Sequence, residues 1–305
     1  MKNFIDPKTL SRVKDLPLVA KTLAQGFMHG VHHSVQRGVG IEFSQYRVYE
    51  PGDELSKVDW KLFARSDRYF VREAERESDV NIWLVIDSSA SMAQKSVGNS
   101  TKSHLSKFEY GKFLAATMGY LGQSQGDNVG LVGLSTENKH FLPALSGQRH
   151  YQKLLINLAQ INSGGHVPSL KHIRSQLHSM QKSGIIFVIS DFYQYDDKNE
   201  NDIVNIVSNL VNERTEVIAV QLQSNDEVEF QFKGALKIED LETKQQLLLS
   251  SHQVKEQYLQ ARGEFNQTLN EILSNKRVKH WSVNIDQPMD EVLHEFLNVR
   301  NRMNR

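Results

Sequence analysis

The sequence predicts an α/β protein with a doubly wound, mostly parallel sheet, an N-terminal lead-in subdomain (residues 1–79) and a small antiparallel insertion at about 223–277. Three observations point there. From about residue 80, short apolar runs alternate with amphipathic stretches, as buried strands alternate with the helices that cover them. Two of those runs, "IWLVI" and "GIIFVIS", lead directly into an aspartate, Asp87 and Asp191. Residues 1–79 differ in texture, with Gly26, Gly30, Gly38, Gly40 and Gly52, the turn signal "EPGD" (50–53) and the Arg-rich "FARSDRYFVREAERE" (63–77).

The sheet domain, 80–305, opens with the strand "IWLVI" (82–86). In "SKFEYGKFLAATMGYLGQ" (106–123), Phe108, Phe113, Leu114, Met118 and Leu121 recur at helical spacing. "NVGLVGL" (128–134) returns as a strand, and "HFLPAL" (140–145) as a short edge strand, because Pro143 has no N–H for a central ladder. Leu154, Leu155, Leu158 and Ile161 predict a helix over 149–161, and Leu170, Ile173 and Leu177 another over 169–181, with the loop "NSGGHVP" (162–168) between them. "GIIFVIS" (184–190), a helix over 200–213 and "EVIAVQL" (216–222) continue the alternation. "EVEFQF", "ALKIED" and "QQLLLSS" predict short antiparallel strands, the first from Val228, Phe230 and Phe232 at alternate positions, and a long helix over 252–274 closes that excursion. "VKHWSVNI" (278–285) and "MDEVLHEFLNVR" (289–300) supply a last strand and helix.

Composition narrows the partners. Lys plus Arg and Asp plus Glu number 36 each, which leaves no net field to draw nucleic acid or an anionic membrane. The absence of cysteine excludes disulfides, thiolate metal sites and a cysteine nucleophile. Asp6, Lys8, Arg12 and Lys14 interrupt the start of the chain where a signal peptide needs an apolar core, and the apolar runs fall far short of the roughly 20 residues of a bilayer span. A cytoplasmic location without membrane insertion is the expectation.

In an open parallel sheet, ligands sit outside the carboxyl ends of the strands, where Asp87 and Asp191 both fall. The segment "DSSASM" offers Asp87, Ser89 and Ser91 from one tight loop, an all-oxygen set suited to a hard cation such as Mg2+ or Mn2+. The plainer alternative is that Asp87 forms a turn while Ser89 and Ser91 cap the following helix. His29, His32 and His33 have helical spacing, but with no carboxylate in register they read as a polar face.

"DSSASM" resembles the DxSxS sequence of the metal-ion-dependent adhesion site in von Willebrand factor A domains, whose order of strands and helices matches this one. "GVGIEFSQYRVYEPGDELSKVDWKLFARSDRYFVREAERE" (38–77), "IEDLETKQ" and "DQPMDEVLHEFLNVR" resemble a bacterial family, the domain of unknown function 58, found beside MoxR-type AAA+ ATPases. The resemblance implies a von Willebrand A or Rossmann-like sheet. It also implies metal ligation by Asp87, Ser89, Ser91 and Asp191. The family pattern takes a threonine from a second loop, where this chain has His166 and Val167, so His166 or Ser163 is the candidate from that loop and the metal site is degenerate. The expected function is a non-enzymatic protein-binding adaptor working with a MoxR-type ATPase on a client protein. Arg47, Asp53, Asp59, Trp60, Arg65 and Arg72 of the upstream block are candidate partner contacts. Two alternatives stand beside it: a metal-dependent phosphohydrolase with Asp87 as nucleophile, which lacks the second acid two residues on because Ser89 is there, and a metal-free scaffold.

Overall fold

The computed structural model describes residues 15–24, 46–48, 60–66, 68–72, 80–96, 105–137, 140–182, 184–193, 201–230, 232, 234–239 and 246–303. Asp15 starts the first described helix, α1 (16–24), by accepting the Leu18 amide on its side chain at 3.2 Å. Val19, Ala20 and Leu23 of α1 lie in the same apolar cluster as the sheet domain's own helices. Farther on, β1 (Tyr46–Val48) and β2 (Phe70–Arg72) pair antiparallel around α2 (Trp60–Ser66). Asp53, Asp59 and the three histidines at 29, 32 and 33 lie outside the described residues.

Strand β3 (Asn81–Asp87) is buried almost throughout, and its side chains divide by parity. Ile82, Leu84 and Ile86 enter one apolar cluster, while Trp83 and Val85 enter the other. After a 3-10 turn (Ala90–Ala93) comes α3 (Lys107–Ser124), begun by a capping box in which Ser106 and Glu109 each accept the other's backbone amide. Then follow β4 (Asn128–Leu134), β5 (His140–Leu145), α4 (Gln148–Gln160), α5 (Leu170–Met180), β6 (Gly184–Ser190), α6 (Asp202–Leu210) and β7 (Thr215–Gln223). The insertion comprises α7 (Asn225–Glu229), the antiparallel hairpin of β8 (Ala235–Glu239) and β9 (Gln246–Ser250), and α8 (Ser251–Asn275). Strand β10 (Lys279–Asn284) and α9 (Met289–Met303) complete the chain.

The main sheet has the order β10-β7-β6-β3-β4-β5, parallel except for the edge strand β5. Relabelled by sequence within the sheet this is 3-2-1-4-5-6, the doubly wound order. Helices α3, α4 and α9 cover one face and α5, α6 and α8 the other. No described helix is long and apolar enough to cross a membrane.

One expected element is different. "EVEFQF" does not continue as a strand: its first half forms α7, because Ser224 and Glu227 close a second capping box and Phe230 then turns left-handed at φ 50°. Phe230 is buried against Tyr258 of α8, while Val228 is exposed, so the alternation was not that of a strand face.

Candidate serine–aspartate site

The winding of the sheet reverses between β3 and β6, and a crevice for ligands forms at the carboxyl ends of such a pair. Asp87 ends β3, and Asp191 follows β6 directly. Both are buried, at 2% exposure each.

Asp87 is fully engaged. Its Oδ1 accepts the Ser89 amide at 2.8 Å and its Oδ2 accepts the Ser190 hydroxyl at 2.6 Å. Burial, and then the nearby charge of Asp191, pushes its carboxyl up to about 7, against the pull of the Ser190 and Ser89 hydrogen bonds. Ser88 donates both its amide and its hydroxyl to the Leu134 carbonyl, tying the loop to the end of β4. Ser89 stands at the N-cap of the 3-10 turn but makes no side-chain cap. Its Oγ instead shares a hydrogen bond with Ser91 Oγ at 3.1 Å, and Ser91 Oγ donates to Asp191 Oδ1 at 3.5 Å. The capping alternative for Ser89 therefore does not describe this loop.

Asp191 is oriented by an unusual backbone. Phe192 is fully buried with φ 60°, a costly conformation for an aromatic residue. It lets the Tyr193 amide donate back to Asp191 Oδ1 at 3.1 Å, while the Phe192 amide donates to Ser190 Oγ at 2.9 Å. The second loop docks through its backbone: Gly164 N donates to Ser88 O at 2.8 Å, and Ala90 N to Gly165 O at 3.0 Å. Gly165 has φ +65°, and a Cβ there would stand 2.7 Å from Thr136 Oγ1, so only glycine fits. His166 is exposed, with its amide donating to Thr136 Oγ1 at 3.1 Å. Ser163 lines a cavity of about 380 Å³ with Asn162, Ser106 and Lys112, and Ser169 pairs with His172 at 2.8 Å.

Two further residues complete the cluster. Lys107, the first residue of α3 and wholly buried, donates to Asp191 Oδ2 at 3.2 Å, Glu227 Oε1 at 2.6 Å and Gln94 Oε1 at 3.1 Å. Burial works to lower its pKa, and Asp191 and Glu227 together more than reverse that, holding the ammonium above the ordinary lysine value. Sequence reading missed Lys107 because it stands 84 residues from Asp191 and 120 from Glu227. It missed Glu227 by placing it in a strand, although Ser224-x-x-Glu227 carried the legible signal of a helix start.

A hard divalent ion takes oxygen donors, and the loops here present them. Ser89 Oγ, Ser91 Oγ and Asp191 Oδ1 lie in sequence at 3.1 and 3.5 Å; the first is close to the roughly 3.0 Å edge of an octahedron with Mg–O bonds of about 2.1 Å, and the second is about 0.5 Å longer. These oxygens fit. Among the described residues no group of three His, Asp or Glu side chains gathers as a metal cage, so an ion there would rest on two hydroxyls, one carboxylate and water.

The candidate partner contacts are spread elsewhere. Trp60 is 56% exposed on α2 and meets Phe63 and Tyr69 edge to face. Arg65 is exposed at the end of α2, and Arg47 and Arg72 stand in β1 and β2, opposite Val71 and Tyr46.

Comparison with known proteins gives the following. The model of a family described as "Protein of unknown function DUF58" matches residues 45–268. An uncharacterized protein of Mycobacterium tuberculosis (strain H37Rv) is 26% identical over 243 residues, 78% of this chain and 72% of that protein. The uncharacterized protein YeaD of Bacillus subtilis is 27% identical over 150 residues, 49% of this chain and 32% of its own length. Among solved structures, the conserved hypothetical protein BatB from Bacteroides thetaiotaomicron aligns over 72% of this chain and 99% of its own at 14% identity and a TM-score of 0.43. The SpRpn10 VWA domain aligns over 71% and 94% at 11% identity and a TM-score of 0.39.

Proposed function

Because the chain belongs to the protein family of unknown function DUF58, we propose that it is a protein-interaction module that offers the serine–aspartate site to an acidic side chain of a partner protein. The observation that carries this reading is the convergence of Ser89 Oγ, Ser91 Oγ and Asp191 Oδ1 at the point where the sheet reverses its winding. A divalent cation, Mg2+ or Mn2+, bound there would supply an open coordination position for a carboxylate oxygen. Ser89, Ser91 and Asp191 would hold it directly. Asp87, held by the Ser89 amide and the Ser190 hydroxyl behind the two serines, would orient the loop and act on the ion through water.

The same geometry favours binding over phosphoryl hydrolysis. A nucleophilic carboxylate must present a free oxygen to its substrate, whereas Asp87 is engaged on both oxygens. The partner in this reading is a MoxR-type AAA+ ATPase, with a client protein delivered to it.

The test is calorimetric titration of the chelator-stripped full chain with Mg2+ and Mn2+, followed by capture of a co-purified MoxR-type ATPase with and without metal. Saturable binding that Ser89→Ala and Asp191→Asn abolish, with capture that depends on the ion, is the expected result. Capture that is indifferent to both metal and substitutions would sink the metal-gated reading.

A further inference from the structure

We propose that Lys107 is a resident cation of the serine–aspartate site, competing with a divalent ion for Asp191 and thereby setting how tightly the site holds metal. The inference rests on the metal-binding reading above. A lysine ammonium has three N–H donors, and three acceptors meet them here: Asp191 Oδ2 at 3.2 Å, Glu227 Oε1 at 2.6 Å and Gln94 Oε1 at 3.1 Å. The head group is therefore completely satisfied in a place closed to solvent.

Asp191 is divided between two claims. Its Oδ2 is held by the ammonium, and its Oδ1 accepts the Tyr193 amide and faces Ser91 Oγ. An ion at the cluster would share one carboxylate with a fixed positive charge. Lys107 and Asp191 are both buried, so the repulsion is weakly screened. Each unit of charge that Asp191 gives to Lys107 is withheld from the ion.

Glu227 acts in the opposite sense. Its Oε1 makes the shortest contact to Lys107, while its Oε2 accepts the Ser224 amide at 2.8 Å and the Ser224 hydroxyl at 3.1 Å. The capping box of α7 thus fixes the anion that draws Lys107 away from Asp191. Without Glu227 the ammonium would have Asp191 as its one anionic partner here, beside the neutral Gln94, and the site would lose a negative neighbour as well.

Opposite effects from the two partners of one ion pair separate this role from a merely structural one, which would weaken the site on either substitution. The experiment is titration of the chelator-stripped full chain with Mn2+ and with Mg2+, in wild type, Lys107→Gln, Glu227→Gln and Asp191→Asn. Lys107→Gln should bind Mn2+ at least about tenfold tighter, by removal of a like charge in a poorly screened setting. Glu227→Gln should bind more weakly than wild type, and Asp191→Asn should not bind. Binding seen in Lys107→Gln alone also supports the proposal. Equal affinity in wild type and folded Lys107→Gln overturns it while leaving the metal site standing, and absence of binding in both overturns the metal reading along with it. Should Lys107→Gln fail to fold, the double variant Lys107→Gln/Glu227→Gln removes the pair together. It must then bind tighter than Glu227→Gln, and equality between those two overturns the proposal.

Discussion

Asp87 combines a charge that the interior resists with a shape that the loop needs, and two substitutions separate them. Asp87→Ala leaves the Ser89 amide and the Ser190 hydroxyl without their acceptor and should destabilise the fold by about 1–3 kcal/mol. Asp87→Asn keeps an oxygen for Ser89, offers an amide to Ser190 and ends the repulsion with Asp191, so its melting temperature at neutral pH should equal or exceed that of wild type. Thermal melts of the two variants decide this; an asparagine as harmful as the alanine would mean that the ionised carboxylate itself supports the fold. At this scale the sequence was legible where chemistry and position coincide. Asp87, Ser89, Ser91 and Asp191 announce themselves by lying at strand ends. Lys107 did not, because the first residue of an amphipathic helix ordinarily points to water, and its anionic partners Asp191 and Glu227 come from distant parts of the chain.

Elements were legible wherever one period dominated. The buried strands are continuous apolar runs, and α4 and α5 show their stripes, so both kinds fell where the periodicity placed them. The failure at "EVEFQF" came from Val228, Phe230 and Phe232, whose period of two outweighed a capping box that sets the first turn of a helix. Register within the sheet has its own marker. Gly184 opens β6 opposite Asn81, and a Cβ there would come within 2.0 Å of the Asn81 carbonyl oxygen. Because that neighbour is backbone, Gly184→Ala should cost about 3 kcal/mol in denaturant unfolding. A cost under about 0.5 kcal/mol would show that the start of β6 shifts freely against β3.

Across the whole molecule, the parallel sheet lies between two apolar layers that share no residue. Helix α1 adds Val19, Ala20 and Leu23 to one of them, so the described part of the N-terminal region contributes to the core of the sheet domain. The insertion contributes to the other through Leu269 and Leu273 of α8, while Leu247 and Leu248 of its hairpin remain exposed. The capping box of α7 then reaches back across the sheet's end to hold Lys107.

The division of the core by parity makes neighbours in sequence energetic strangers. Val85 and Ile86 are consecutive yet belong to different layers, whereas Val85 and Val188 are paired across the β3–β6 register within one layer. In a double-mutant cycle, Val85→Ala and Ile86→Val should add to within about 0.5 kcal/mol, while Val85→Ala and Val188→Ala should couple beyond that. Substitutions can therefore accumulate in one layer with little epistasis toward the other, and the two halves of the interior can change at separate rates.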